Sequence, residues 1–268
     1  MLISKDLPKQ SESYQNHPVL DEIKYMMNFY ESISDTCMRY IPQGAPGFMN
    51  YATYIYLALE GTLDSIQLTL KEGRITDAFT LVRKLFDDVL VEIYIDVTRK
   101  EQFDFENNFY VQDVEEWIRG KHRIPKLEKL LKILKESPST RDIYPFFGWD
   151  TYLKRNRELL DDSVHSNRFR GILLNCNEVI VENRERELQN ILIVLKQIFL
   201  VHLAFIFHLN DHYFMATDYM DYMDMGMEPP EGCTEWITSY AQEAFDKYIK
   251  PHTKLAEFIK SESGLKIE

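Results

Sequence analysis

The sequence is short of the residues that make turns. Its 268 residues include 10 Gly and 10 Pro, below the roughly 12% combined average, which disfavours a turn-rich β architecture. Cysteine is scarcer still. Cys37, Cys176 and Cys233 are odd in number, widely spaced and not arranged as CxxC, which argues against a disulfide framework and a zinc finger and fits a reducing cytosol. The N-terminal stretch has no apolar core of the kind a signal peptide carries, so no export is expected and the chain is placed in the cytoplasm. The motifs GxxxxGK[ST], GxGxxG, GxSxG and HExxH are all missing, which removes the common nucleotide-binding and hydrolase signatures. Cations are outnumbered too, 31 Lys and Arg against 43 Asp and Glu for a net charge of −12. That balance opposes nonspecific attraction to nucleic acid or anionic lipid.

What is present can fill a core. Hydrophobic residues make up 45% and aromatics 13%, enough to offset chain entropy by burial. Proline is absent from Pro46 to Pro125 and from Pro145 to Pro229, and glycine from Gly171 to Gly226, so long helices are permitted. Apolar residues at three- and four-residue spacing predict helices over about 19–40, 48–71 and 75–98, the last apolar around much of its circumference. Shorter helices are expected at about 108–118, 126–135 and 149–165, a long one at about 184–220, and an amphipathic one at about 234–262. The fold expected is all-α: an up-and-down helical bundle with additional N- and C-terminal helices, in a single domain over 1–268, its C-terminal elaboration at about 184–262. The apolar run Ile191–Leu209 is nearly long enough to span a bilayer, but it contains Lys196, Gln197, His202 and His208. It reads as a buried central helix, not a membrane span.

Charge is unevenly distributed. Arg119–Arg170 holds 13 Lys and Arg against 7 Asp and Glu, a balance of +6 that leaves −18 for the remainder. Asp211–Asp246 holds nine acids and no Lys or Arg. A basic surface on an acidic protein can mark a phosphate-bearing ligand; equally, Lys126, Lys129, Lys132 and Lys135 suit one solvated helix face. The acidic segment includes a Met/Tyr/Asp run at Asp218–Met227. Methionine and aromatics adapt to irregular contacts, so a protein partner is a candidate there.

Within the basic segment, Lys154–Asn167 reads KRNRELLDDSVHSN. If helical, Asp161 and Asp162 lie one turn before His165, where a carboxylate could fix the imidazole tautomer. Arg157 and His165 are eight residues apart, about 80° around a helix and about 12 Å along it. One chain cannot clasp a phosphate between them at that separation, but two copies across a two-fold could form a composite site. Arg83 is a second polar intrusion, on an apolar helix, and needs a carboxylate such as Asp87 or Asp88.

On these residues the chain resembles the HEPN superfamily (higher eukaryotes and prokaryotes nucleotide-binding), whose helical bundles often carry an Arg, a polar residue and then a His near a helix end. The matching residues are Arg155-Asn156 or Arg157, followed by Val164-His165-Ser166. The helix LVRKLFDDVLVEIYI, Leu81–Ile95, is similar to an Arg-containing core helix of relatives among bacterial defence proteins. The likeness covers about 48–170. The family interval between Arg and His is four to six residues, whereas seven lie between Arg157 and His165 here. The resemblance implies a defence or toxin protein acting as a homodimer, in its active form a metal-independent ribonuclease. There the 2′-hydroxyl attacks the adjacent phosphate, His165 transfers protons and Arg157 steadies the pentavalent charge. Arg155, Asn156, Asp161, Asp162 and Arg83 would support the site. A silent version would bind RNA, a nucleotide or a partner protein without cutting.

Ferritin-type Glu-x-x-His pairs are absent. Asp162-x-x-His165 and the His208/His212 pair come nearest, and each lacks the further ligands of a metal site, so neither metal nor cofactor is expected.

Overall fold

The computed structural model describes residues 7–40, 51–102, 111–178 and 184–268. Among these residues the chain is all-α, and its only β feature is an isolated antiparallel bridge between Met215 and Ile237. Two short helices, α1 (Leu7–Gln10) and α2 (Glu12–Gln15), precede α3 (Pro18–Tyr40), α4 (Tyr51–Lys71) and α5 (Ile75–Gln102). Then come α6 (Gln112–Ile118), α7 (Leu127–Glu136), α8 (Lys154–Val164) and α9 (Phe169–Leu174). The long α10 (Arg184–Leu209) is followed by α11 (Asp218–Asp224), α12 (Ser239–Ala244) and α13 (Thr253–Glu262).

Sequence punctuation explains most boundaries. Pro18 occupies the first position of α3, where its missing N–H costs nothing. Gly73, at φ +73°, makes the left-handed turn between α4 and α5. The starts expected near 48 and 108, and part of the weak segment after Gly171, fall outside the described residues.

Two expected helices are broken. The helix predicted over 184–220 stops at Leu209, because Asn210 leaves helical geometry with φ −141° and buries its side chain in hydrogen bonds. The chain then makes a 3-10 turn at Asp211–Phe214 before the bridge at Met215. The helix predicted over 234–262 is divided into α12, a π turn at Phe245–Ile249 and α13. Pro251 follows that π turn and cannot donate a backbone bond. A similar π turn at Trp149–Leu153 leads into α8.

The chain groups into two compact units. The first comprises 1–30, 58–89 and 148–199. Its core includes Ile23, Met26, Leu63, Ile66, Val82 and Leu195, all fully buried or nearly so. Phe199 meets Tyr25, Phe29 and Tyr30 edge-on at centroid distances of 6.4, 5.0 and 5.7 Å. The loop after α9 clamps the α4–α5 turn. Asn177 donates to the Glu72 carbonyl at 2.8 Å, and Asn175 Oδ1 accepts from the Thr76 N–H at 2.9 Å, capping α5 from a distant part of the chain. Buried Arg184 donates to the carbonyls of Gly73, Leu173, Leu174 and Cys176.

The second unit comprises 31–57, 90–147 and 200–268. Phe205, Phe207, Phe214 and Phe245 are buried in its core, with Phe207 centred 4.3 Å from Phe214 and 5.6 Å from Phe245. By length and composition α10 could cross a membrane, but 72% of its most apolar stretch is buried within the protein.

Candidate functional site

The residues expected to form the site lie in the first unit: Arg155, Asn156, Arg157, Asp161 and Asp162 on α8, His165 at its C-terminal end, and Arg83 on α5. His165 caps α8: its N–H donates to the Asp161 carbonyl at 3.0 Å. Ser166 takes φ +50°, which turns the chain toward α9. The His165 side chain is exposed and has no hydrogen-bond partner among the described residues.

Neither aspartate orients the imidazole. Asp161 accepts from Arg83 Nε at 2.7 Å and lies 3.9 Å from Arg157 Nε. Asp162 pairs with Arg168 at 2.9 Å and accepts from Asn167 at 3.2 Å. The expectation that one of them would fix the His165 tautomer is therefore corrected: both are taken by guanidinium groups, which make charge-assisted bonds that a neutral imidazole cannot match. Arg83 bonds Asp87 as well as Asp161, and its side chain is only 12% exposed. Desolvation would lower its pKa, but the two carboxylates prevail and raise it.

Arg155 is exposed and Asn156 donates to Gln197. Beyond His165 the surface continues with Arg168, Phe169, Arg170 and Ile172, all exposed, Phe169 to 71%. Arg170 pairs with Glu187 at 3.2 Å. The four lysines of the basic segment lie elsewhere. Lys126, Lys129, Lys132 and Lys135 form an exposed face at α7 of the second unit, where Leu130 and Leu134 are buried.

A second cluster escaped the sequence reading. Glu92, Asp96 and Arg99 share one face of α5 at intervals of four and three residues, and Glu92 and Asp96 are 1% and 2% exposed. Glu92 accepts from the Tyr56 hydroxyl at 2.8 Å and meets His202 Nε2 at 3.0 Å. Asp96 accepts from the Tyr51 hydroxyl at 2.6 Å and from the Asn210 amide, whose oxygen accepts from Arg99. The two carboxyl groups sit one helical turn apart, near enough for each to affect the other's protonation.

Burial sets their protonation. It pushes Asp96 up to about 8, with neighbouring Glu92 adding to the effect, and it pushes Glu92 upward as well. The same burial drives His202 down to about 3, so the imidazole is neutral near pH 7. Burial thus favours the uncharged forms of Asp96, Glu92 and His202 around the Arg99 guanidinium. The signal in the sequence is VLVEIYIDV, Val89–Val97, where two acids sit one turn apart in an apolar run.

His208 Nε2–H donates to the Ser139 carbonyl at 2.8 Å, which occupies that nitrogen. Among the described residues no three His, Cys, Asp or Glu side chains are arranged to hold a metal ion. Cys37, Cys176 and Cys233 are free thiols, and burial pushes Cys37 well above the ordinary thiol range. Comparison with protein-family models, curated proteins and solved structures gives no match.

Proposed function

We propose that the chain is an HEPN-like helical protein of the prokaryotic defence or toxin class that binds RNA on its α8–α9 surface and does not cut it unaided. The observation that carries this reading is the exposed run from His165 to Arg170, where Arg168, Phe169 and Arg170 follow an imidazole without a partner among the described residues. Arginine supplies bidentate donors to phosphate, and an exposed aromatic ring supplies a face on which a base can stack. The ion pairs of Arg168 and Arg170 are surface pairs, worth about 0–1 kcal/mol each, so phosphate can displace them at little cost.

Metal-independent cleavage by Arg157 and His165, composed across a homodimer, is the second reading. His165 suits it, being an exposed imidazole that can both accept and donate a proton. Arg157 suits it less, because its Nε is buried 3.9 Å from the Asp161 carboxylate, which is itself bound to Arg83.

Incubating the wild type and His165→Ala with total RNA in EDTA tests both readings. Retention of RNA by both proteins without cleavage supports the binding module. Cleavage by the wild type alone would establish the second reading, and failure of the wild type to retain or cut RNA would refute both.

A further inference from the structure

The acidic segment Asp211–Asp246 plays no part in RNA binding as proposed, yet it builds a concave site. In the second unit a cleft of about 570 Å3 is lined by Ser32, Asp35 and Thr36 of α3, by Asp218 at the start of α11, and by Trp236 and Tyr240 near the start of α12. Its frame is fixed by backbone bonds: the Ala216 N–H donates to the Trp236 carbonyl at 2.7 Å, and the Thr238 N–H to the Phe214 carbonyl at 2.8 Å. The hydroxyls of Thr36 and Tyr240 join at 3.1 Å. These contacts hold three separate stretches of chain around one space, so little ordering remains for a ligand to impose.

The lining has one sign of charge. Among the described residues no Lys, Arg or His borders the cleft. Asp35 and Asp218 are both exposed, and neither has an ion-pair partner among the described residues. Trp236 is 37% exposed. Anions are repelled by such a site, and a neutral ligand would leave both carboxylates uncompensated. A divalent metal wants more oxygen ligands than two carboxylates provide. An ammonium group meets the lining directly: its N–H donors suit carboxylates and hydroxyls, and its charge is attracted to an aromatic ring.

We propose that this cleft binds an aliphatic organic cation, with a primary ammonium held between Asp35 and Asp218 beside the Trp236 indole. Two sources share that chemistry, a free polyamine and a lysine side chain of a partner protein.

The indole N–H resonances of the three tryptophans report binding, with that of Trp236 identified by its loss in Trp236→Phe. The probes are spermidine, N-acetyl-lysine amide, its neutral isostere N-acetylnorleucine amide, and calcium chloride. We expect a saturable shift of the Trp236 resonance with the ammonium probes and none with the isostere. Asp35→Asn and Asp218→Asn should each weaken binding about tenfold, the scale of one charge-assisted contact, with unchanged thermal melting. Response to spermidine alone assigns a free polyamine; an equal response to the lysine amide assigns a partner's side chain. No saturable shift, an equal response to the neutral isostere, or a calcium response as large as that of the amines would overturn the proposal.

Discussion

Asp96 lies one turn after Glu92 on α5, and both carboxyl groups are buried in the core. Two like charges so close could not both persist there, so the pair keeps a proton at neutral pH. The unfolded chain does not keep it, and stability is therefore linked to pH.

The direction follows from where each state binds protons. Asp96 has an ordinary value of 3.8 and is pushed up to about 8 in the fold, so between these values the folded state holds the extra proton and stability falls as pH rises. His202 works from the other side. Its value drops from 6.5 to about 3, so stability is lost as pH falls through that window. Above about pH 6.5 only the carboxyl contribution is left of these two. Denaturant unfolding should show a loss of about 2 kcal/mol between about pH 6.5 and about pH 8.5. Asp96→Asn lowers stability overall and flattens this slope; an undiminished slope in that variant would refute the assignment.

Much of the helical layout was legible, because Gly73 and the intervals free of proline and glycine act on the backbone locally, although Pro251 lies inside the stretch expected to be one helix over 234–262. The break at Asn210 was not. It depends on a side chain bonded to Asp96, 114 residues away, inside a stretch whose periodicity would otherwise carry a helix onward. Glu92 and Asp96 were hidden for the same reason: the apolar residues of α5 predict a buried helix, and nothing local says that Tyr51, Tyr56 and His202 will gather around its acids. Placing His165 at a helix end needed only the sequence around it. The capture of Asp161 by Arg83 needed the fold, since the two are 78 residues apart.

Arg184 offers a test of the clamp on the α4–α5 turn. It is 4% exposed and donates to four carbonyls, including that of Gly73. Arg184→Met keeps much of the apolar volume and leaves those acceptors without their donor, at an expected cost of about 3 kcal/mol. Arg184→Lys should recover little of it, because one ammonium cannot reproduce the planar fork. Thermal or denaturant unfolding of the two variants decides; a lysine variant as stable as the wild type would show that charge alone suffices.

Asp161 joins stability to the proposed RNA surface. Its carboxylate engages Arg83 and lies near Arg157, so Asp161→Asn removes one of the two counter-charges of Arg83 and the one beside Arg157. The fold should lose about 1–2 kcal/mol, the range for a partly exposed charged bond. RNA affinity at low salt should rise several-fold as Arg157 is released toward phosphate. Equal or weaker RNA binding by the folded variant would mean that Arg157 does not face the ligand.

The most direct test of the surface is its salt dependence. Each phosphate neutralised on a single strand contributes roughly −0.7 to the slope of log affinity against log salt concentration, whatever the base sequence. Arg168 and Arg170 are exposed and flank exposed Phe169, and their partners Asp162 and Glu187 sit at 2.9 and 3.2 Å. Replacing both arginines with Ala should flatten the slope by about 1.4 while leaving thermal melting nearly unchanged. Phe169→Ala should behave differently. A stacking contact carries no counterions, so its loss should lower affinity by a factor that is the same at every salt concentration. The arginine and phenylalanine variants therefore separate phosphate contact from base stacking on one short stretch of chain. An unaltered slope in the double arginine variant would remove RNA from α8–α9.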